Sequence, residues 1–569
     1  MSGLGIAMGI MTPPLALSMD ALPLLGNEGL PALLLQKKDC SQKAEHLGTL
    51  PPHFDNFDLL PKSTALASQG SMAVSAEKRR FAFVTVSLQG HMRPATSIAA
   101  EMARRGFAVD FLVAAAGAKG ELLALEREQP LFSLHAVEDG QEMIADMDWK
   151  AVACSTGRIG GSKVALMEQL AKLKEGDISP AVAQWKAMIR ILERCKPDVV
   201  ILDHSLMVLQ MWAEDNCIPT IILHTPYFTT AEPSGCARMS RWQQLRLMKT
   251  MLRSRPMDFI QKAKKELGVG VGAAAISGIQ EGASGSRQAQ GLSPHTFVFC
   301  EPELLNKEHV PNRVHVVGPC FSVVTSEVEG DLLHWLDDAA AHGETVLYVS
   351  FGTLANGFLN SMAIIELMAA FSRLGSGWRV LWSLPAAQQT LLPQSWKTSP
   401  AEHEKLRIES FVCQRGVLAH SAVKVFLTHG GQSSVNEGIS AGLPLVCLPL
   451  FCDQFEMADS IESHGLGLVF HKDELLSFWG GSERLAQLLQ RAAKEPQFRD
   501  AAARYGHLMR IRAGCSRAAD VIESVAFGGV DFQELWAGPK NRTPTWASSR
   551  VCGAGILTCF QGLFSTSKK

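Results

Sequence analysis

From residue 80 onward, short apolar runs alternate with stretches of helical periodicity, an order that predicts repeated strand–helix–strand units. Residues 81–86 (FAFVTV) form a β-branched and aromatic run that suits a buried strand. Leu88-Gln-Gly90-His91-Met-Arg reads as a turn, and Pro94 fits the first turn of a helix with Ile98, Ala99 and Met102 on one face. That helix stops near Gly106 and residues 107–113 return as a strand, so the opening is a βαβ unit in a parallel sheet. Helical, Met-rich segments follow through about residue 194, then a buried strand at 197–203 ending on Asp203. A helix from about Leu206, a strand at 220–224, a helical stretch at 238–267 and residues 314–319 complete the first half.

The second half repeats the alternation. A strand at 345–350 and a turn at Phe351-Gly-Thr353 lead to a helix at 359–371 with Met362, Ile365 and Ala369 in register. Strands at 379–384 and 406–411 precede an apolar run at 425–427, a Gly430-Gly431 turn, a helix at 433–441 ended by Gly442 and Pro444, and a strand at 445–448. Residues 485–526 are mostly helical. The class is therefore α/β, with two Rossmann-like halves whose ligand site lies in the cleft.

Length changes this picture by adding appendages: 569 residues exceed one core. Residues 1–78 lack periodicity and read as a flexible extension; 79–319 are the first domain, 320–330 a linker, 331–526 the second domain and 527–569 a tail. Residues 268–293, rich in Gly, Ala, Ser and Gln, read as a flexible insertion. A formal net charge of −2 with 19% charged residues gives no reason to expect nucleic acid or an anionic membrane as partner. The thirteen cysteines are scattered without a CxxC pair, which fits a reduced, cytoplasmic setting better than disulfides or zinc. Residues 1–36 contain no Lys or Arg and are interrupted by four prolines, so they make a poor secretory signal. Residues 551–564 are apolar but shorter than the ~20 residues of a spanning helix, leaving a loose tail or a weak, peripheral membrane contact. Asn541-Arg-Thr543 matches a glycosylation acceptor but carries little weight without a secretory signal.

The chemistry concentrates in residues 411–454. A helix starting just after a glycine turn offers free N–H groups and the positive end of its dipole to an anion, and His429, Ser433 and Ser434 stand where they add side-chain donors. A structural alternative is open, since Ser434-Val-Asn-Glu437 is also a legitimate capping box. The wider spacing resembles the donor-sugar signature of the UDP-glycosyltransferase family, with Gln414, Val417-Leu418, His420, Phe426, Thr428-His429, Gly431, Ser434, Glu437, Gly442, Pro444, Pro449 and Asp453-Gln454 in register. Gly90-His91-Met-Arg-Pro94, Asp203, Trp335-Leu-Asp337 and Val349-Ser-Phe-Gly-Thr353 extend the resemblance over roughly residues 80–526.

The resemblance implies a GT-B fold and inverting, metal-independent transfer of a sugar, glucose in the first instance, from a UDP-sugar to a hydroxyl of a lipophilic small molecule. The UDP-sugar is a co-substrate, and no cofactor is implied. His91 matches the general base and Asp203 the carboxylate that orients it; the bland readings are a polar turn residue and a helix cap. His429, Gly431 and Ser434 match the diphosphate group, Ser433 stands beside them as a further donor-binding residue, and Thr353 matches a contact to phosphate or sugar. Phe411 and Gln414 correspond to the uridine site, Val412 to a donor-binding position between them, Glu437 to the acceptor of both ribose hydroxyls, and Asp453 with Gln454 to the sugar-binding pair. Departures from plant members are Phe411 for Trp, Cys413 for Pro, Gln432-Ser433 for Trp-Asn and Met457 for Asn, which leaves donor identity open. Methionines 143, 147, 167, 188, 207, 211, 248 and 251 suit an adaptable apolar pocket or plain core. A nucleotide-sugar epimerase would need further acid/base carboxylates, a dehydrogenase a GxGxxG turn that is absent after the first strand, and a non-catalytic sugar-nucleotide-binding or partner subunit would not need both His91 and Asp203.

Overall fold

The computed structural model describes residues 79–527 except 144–146, 156–157, 176, 227–240, 255–256, 270–294, 306–312, 322–326, 355–357 and 476–479. The expected extension at 1–78, most of the 268–293 insertion, the middle of the linker, the 551–564 segment and Asn541 lie outside these residues.

Two parallel sheets carry the chain. The first joins β1 (Arg80–Val84), β2 (Ala108–Ala114), β3 (Phe132–Val137), β4 (Val199–Asp203), β5 (Thr220–His224), β6 (His295–Val298) and β7 (Val314–Val316) in the order β3-β2-β1-β4-β5-β6-β7. The second joins β8 (Thr345–Ser350), β9 (Trp378–Ser383), β10 (Leu406–Glu409), β11 (Val423–Thr428), β12 (Leu445–Cys447) and β13 (Gly467–Val469) in the order β10-β9-β8-β11-β12-β13. Central strands are apolar and buried on both faces, as parallel strands covered by helices must be. The order reverses between β1 and β4 in one sheet and between β8 and β11 in the other, and ligands of such sheets bind beyond the strand ends at that point.

The helices that shape the site are α1 (Gln89–Arg104), α2 (Trp149–Ala153), α3 (Ser361–Ser372), α4 (Gln414–Ala419), α5 (Gln432–Ser440), α6 (Gln454–Ser463) and α7 (Gly514–Phe527). Helix α1 starts at Gln89, ahead of the expected position, because the Leu88 carbonyl accepts from the amides of His91 and Met92 and winds the glycine turn into the helix. Pro94 therefore sits inside the helix. Strands β3, β6 and β13 were not expected from the sequence; they are short or, as in β3, carry exposed and half-buried positions that blur the strand signal. In α3 the buried face is Ala363, Ile364, Leu367, Ala370 and Phe371, while Met362 and Ile365 of the anticipated register face solvent.

Two segments cross the domain boundaries read from sequence. Val152 and Ala153 of α2 join the core of the second sheet, and Lys472 donates to the carbonyls of Ala153 and Leu450. Helix α7, assigned to the second domain, packs Ala518, Ala519, Val521 and Ile522 into the core of the first, and Arg105 locks it there through Asp520 and Glu523. Apolar burial outweighs chain adjacency in both cases. Among the described residues no helix is long and apolar enough to cross a membrane.

Candidate functional site

At the first switch point, β4 ends on Asp203 and the turn after β1 runs into α1. The apolar strand drives Asp203 into a fully buried position, which demands partners for its charge. Oδ2 accepts from His91 Nδ1 at 2.8 Å, and Oδ1 accepts from the amide and hydroxyl of Ser205 at 2.9 and 2.5 Å. Burial alone raises a carboxyl's pKa, but the His91 and His204 charges and these hydrogen bonds outweigh it and hold Asp203 well below the usual carboxylate range. Burial likewise pushes His91 down, yet the Asp203 charge and hydrogen bond, with smaller help from Asp453 and Glu142, hold it above the ordinary imidazole value. With Nδ1–H assigned to Asp203, Nε2 is left as the basic nitrogen on a ring that lines the cleft. The His204 ring stacks on His91 with centroids 5.3 Å apart, and burial pushes its imidazole below the ordinary value against the pull of Asp203.

Around this dyad, Glu142 accepts from the Ser87 amide at 2.7 Å and from its hydroxyl, tying the segment after β3 to the turn that carries His91. Burial pushes the Glu142 carboxyl up. Sequence reasoning missed Ser87, Glu142, His204 and Ser205; only the adjacency of His204 and Ser205 to Asp203 offered a signal.

At the second switch point, Gly430 takes a positive φ of 82°, which suits glycine, and Gly431 is the N-cap of α5. Gly431 is needed for another reason: a Cβ there would collide with the His429 ring. Gly352, with φ of 70°, meets the same ring from the other side, where a Cβ would lie 2.9 Å from Cε1. Burial drives His429 down to about 4, with a backbone hydrogen bond to Ser350 opposing only in part, so this imidazole is neutral. The first turn of α5 presents Gln432 and Ser433 to the cleft, and Thr353 stands exposed after β8.

The capping-box alternative is not realised. Helix α5 begins at Gln432, so Ser434 and Glu437 are interior, and Glu437 makes no cap. Its Oε1 instead accepts from Arg93 of α1 at 2.9 Å, and its Oε2 accepts from Gln414 Nε2 at 2.6 Å. Gln414 Nε2 also reaches Ser434 Oγ at 3.3 Å, and its Oε1 accepts from the buried Tyr348 hydroxyl at 3.2 Å. Arg93 and Tyr348 are further site residues to which the sequence assigned no role, Arg93 because nothing in its turn announces a reach to another domain.

The structure brings the sequence-selected residues to one cleft of ≈ 1150 Å³ that His91, Thr353, Phe411, Val412, Gln414, His429, Gly431, Ser433, Ser434, Asp453 and Gln454 all line. Phe411 is 80% exposed at its rim, an aromatic face with no covering. Gln454 uses Oε1 to accept from the amides of Leu450 and Phe451, fixing the loop before α6. Asp453 lies at the N-terminus of α6, close enough to His91 to raise its pKa across the cleft. An apolar stretch of wall is formed by Leu122, Met143, Met147, Trp149, Leu166 and Trp185, while Lys119, Glu121, Lys163, Gln184 and Glu456 line other parts of the cleft. Of the other methionines, Met167 and Met188 are core and Met248 is exposed.

Residues 307–504 match the family described as UDP-glucoronosyl and UDP-glucosyl transferase. UDP-glycosyltransferase 84A1 of Arabidopsis thaliana is 37% identical over 175 residues, 28% of this chain and 34% of its own length. UDP-glycosyltransferase 1 of Phaeomoniella chlamydospora is 31% identical over 232 residues, 40% of this chain and 45% of its own length. The chain thus spans less than half of these two relatives. A crystal structure of a UDP-glucose: anthocyanidin 3-O-glucosyltransferase in complex with UDP superposes with a TM-score of 0.55 at 17% identity, covering 79% of this chain and 99% of the other, and shows the shared GT-B fold.

Proposed function

For a chain that belongs to the UDP-glycosyltransferase family, we propose that it transfers a sugar, glucose foremost, from a UDP-sugar to a hydroxyl of a lipophilic small molecule, with inversion and without a metal. The observation that carries this reading is the buried His91–Asp203 pair facing a glycine-turn helix N-terminus across one cleft.

The acceptor binds against the apolar wall with its hydroxyl at His91 Nε2. As the acceptor oxygen forms its bond to the anomeric carbon, His91 takes the hydroxyl proton, and Asp203 holds the resulting imidazolium. The bond from the anomeric carbon to the diphosphate oxygen breaks with its electron pair, and UDP departs from the opposite face. Charge growing on that oxygen meets the amides at the start of α5, with Ser433, Thr353 and neutral His429 as fixed donors. These dipoles and an arginine in the same cleft supply the positive field that a metal provides elsewhere, which supports the metal-free reading. Phe411 and Gln414 serve uridine, Glu437 the ribose, and Asp453 with Gln454 the sugar hydroxyls.

The test is UDP release by the purified chain supplied with UDP-glucose and a panel of lipophilic alcohols and phenols, beside His91→Ala. Acceptor-dependent release that the variant loses supports transfer with His91 as base. Tight UDP-sugar binding without turnover for any acceptor would instead favour a binding subunit.

A further inference from the structure

Each carboxylate oxygen of Glu437 already accepts a hydrogen bond. Both are taken within the protein, one by Gln414 from the same domain and one by Arg93 from the catalytic helix of the other. Each oxygen keeps a second lone pair, but a ribose diol that takes both oxygens has to share them with these two donors, and the bulkier competitor is the guanidinium reaching over from α1. Arg93 is the weaker hold: its side chain is 34% exposed and crosses the cleft, whereas Gln414 is itself held by Tyr348 and Ser434.

The freed guanidinium would have a second place to go. Arg93 also lines a void of ≈ 20 Å³ with Gln432, Ser433, Asn436 and Thr225, at the first turn of α5. Gln432 is buried, 6% exposed, and neither polar atom of its side chain has a hydrogen-bond partner; Thr225 Oγ1 and Asn436 Oδ1, buried at 8% and 4%, also lack one. Buried polar atoms without partners are costly, and several around one void mark a place built for a polar guest. Gln432 Nε2, the Thr225 hydroxyl and the helix N–H groups can donate to a phosphate oxygen, while Gln432 Oε1 and Asn436 Oδ1 only accept and suit the guanidinium that would come with it.

Resting on the donor reading above, we propose that Arg93 exchanges partners during donor binding: ribose displaces it from Glu437, and it then pairs with the diphosphate at the start of α5. Arg93 is thereby a diphosphate-binding residue contributed by the acceptor domain. The exchange makes recognition of the ribose and of the diphosphate depend on each other. It also brings a positive charge from the catalytic helix to the leaving group.

Calorimetric titration of the full chain with uridine and with UDP tests this, in wild type and in Arg93→Met, which keeps the length and removes the charge. The expected result is opposite shifts. Uridine binds the variant about fivefold tighter, since it no longer competes with an ion pair, while UDP binds about tenfold weaker for want of a charge-assisted phosphate contact. Arg93→Lys, which retains the charge, is expected to recover part of the preference for UDP. Equal shifts of both ligands in either direction, or no shift, would overturn the exchange, because a plain latch or a structural strut treats uridine and UDP alike. Wild type that binds neither ligand would sink the donor reading itself, an outcome distinct from an unchanged preference.

Discussion

Two imidazoles stand beside the two switch points, His91 after β1 and His429 after β11, and their surroundings drive them in opposite directions. His91 meets a buried carboxylate and is held above its ordinary pKa, whereas His429 meets two glycines and a backbone group and falls to about 4. Both lose solvent, so burial is common to the two. The difference is carboxylate charge: Asp203 at 2.8 Å from His91, with smaller help from Asp453 and Glu142, and no carboxylate among the influences on His429. The same side chain is thus held more basic in one sheet and neutral in the other, the contrast on which the roles proposed for them rest.

Removing the base breaks the comparison most severely. His91→Ala is expected to lower kcat by about a hundred- to ten-thousandfold while UDP affinity, assigned above to residues other than His91, stays within about twofold. Initial rates with saturating donor and a UDP titration check both halves. Asp203→Asn, which keeps the size, should cost about a hundredfold in kcat or more, because an amide donor selects the wrong imidazole tautomer. It should also bring the acid limb of the pH–rate profile down, since the group that holds His91 high is gone. In the wild type that limb lies above the ~6.5 of a free imidazole. Stability runs the other way: a base whose folded pKa is raised contributes fully below its unfolded value, and that contribution fades as pH rises through the folded one. Melting temperatures across pH 5.5–8.5 would show the wild type losing this contribution and Asp203→Asn lacking it.

How much of this was legible varies with the kind of signal. The strand ending on Asp203 and the Gly430-Gly431 turn were readable because apolar runs and glycines act locally. Pairing of His91 with Asp203 came from resemblance alone, as 112 positions separate them and no periodicity links the two. The Ser434-to-Glu437 spacing left a capping box open, because the local pattern does not show that α5 starts at Gln432 and that Glu437 bonds Arg93 and Gln414 instead. Contacts such as Arg93–Glu437 and α7 on the first sheet were invisible, because long-range packing leaves no mark in local sequence pattern.

Gly431→Ala sharpens the contrast from the other side. Its φ of −66° is ordinary, so the cost is the collision with His429, about 1–3 kcal/mol of overpacking. UDP should bind roughly tenfold weaker, with the acid limb of the rate profile unmoved because His91 is untouched. A variant that binds UDP normally would mean the ring has room to rotate away.

The smallest effect belongs to His429 itself. If its role is that of a neutral hydrogen-bonding group, His429→Gln replaces one with another and should weaken UDP binding only about two- to tenfold. The pH–rate profile should keep its shape, since a group titrating near 4 is already neutral where His91 changes charge. The sign of its linkage is opposite to that of His91: with a folded pKa below the unfolded ~6.5, it supports folding above that value and withdraws support as pH falls towards 4. His429→Gln should therefore flatten the loss of stability between pH 6.5 and 4 while leaving stability at pH 8 governed by packing alone. An acid limb that moves in His429→Gln would show that the two imidazoles are coupled, and the contrast between their two environments would no longer explain their roles.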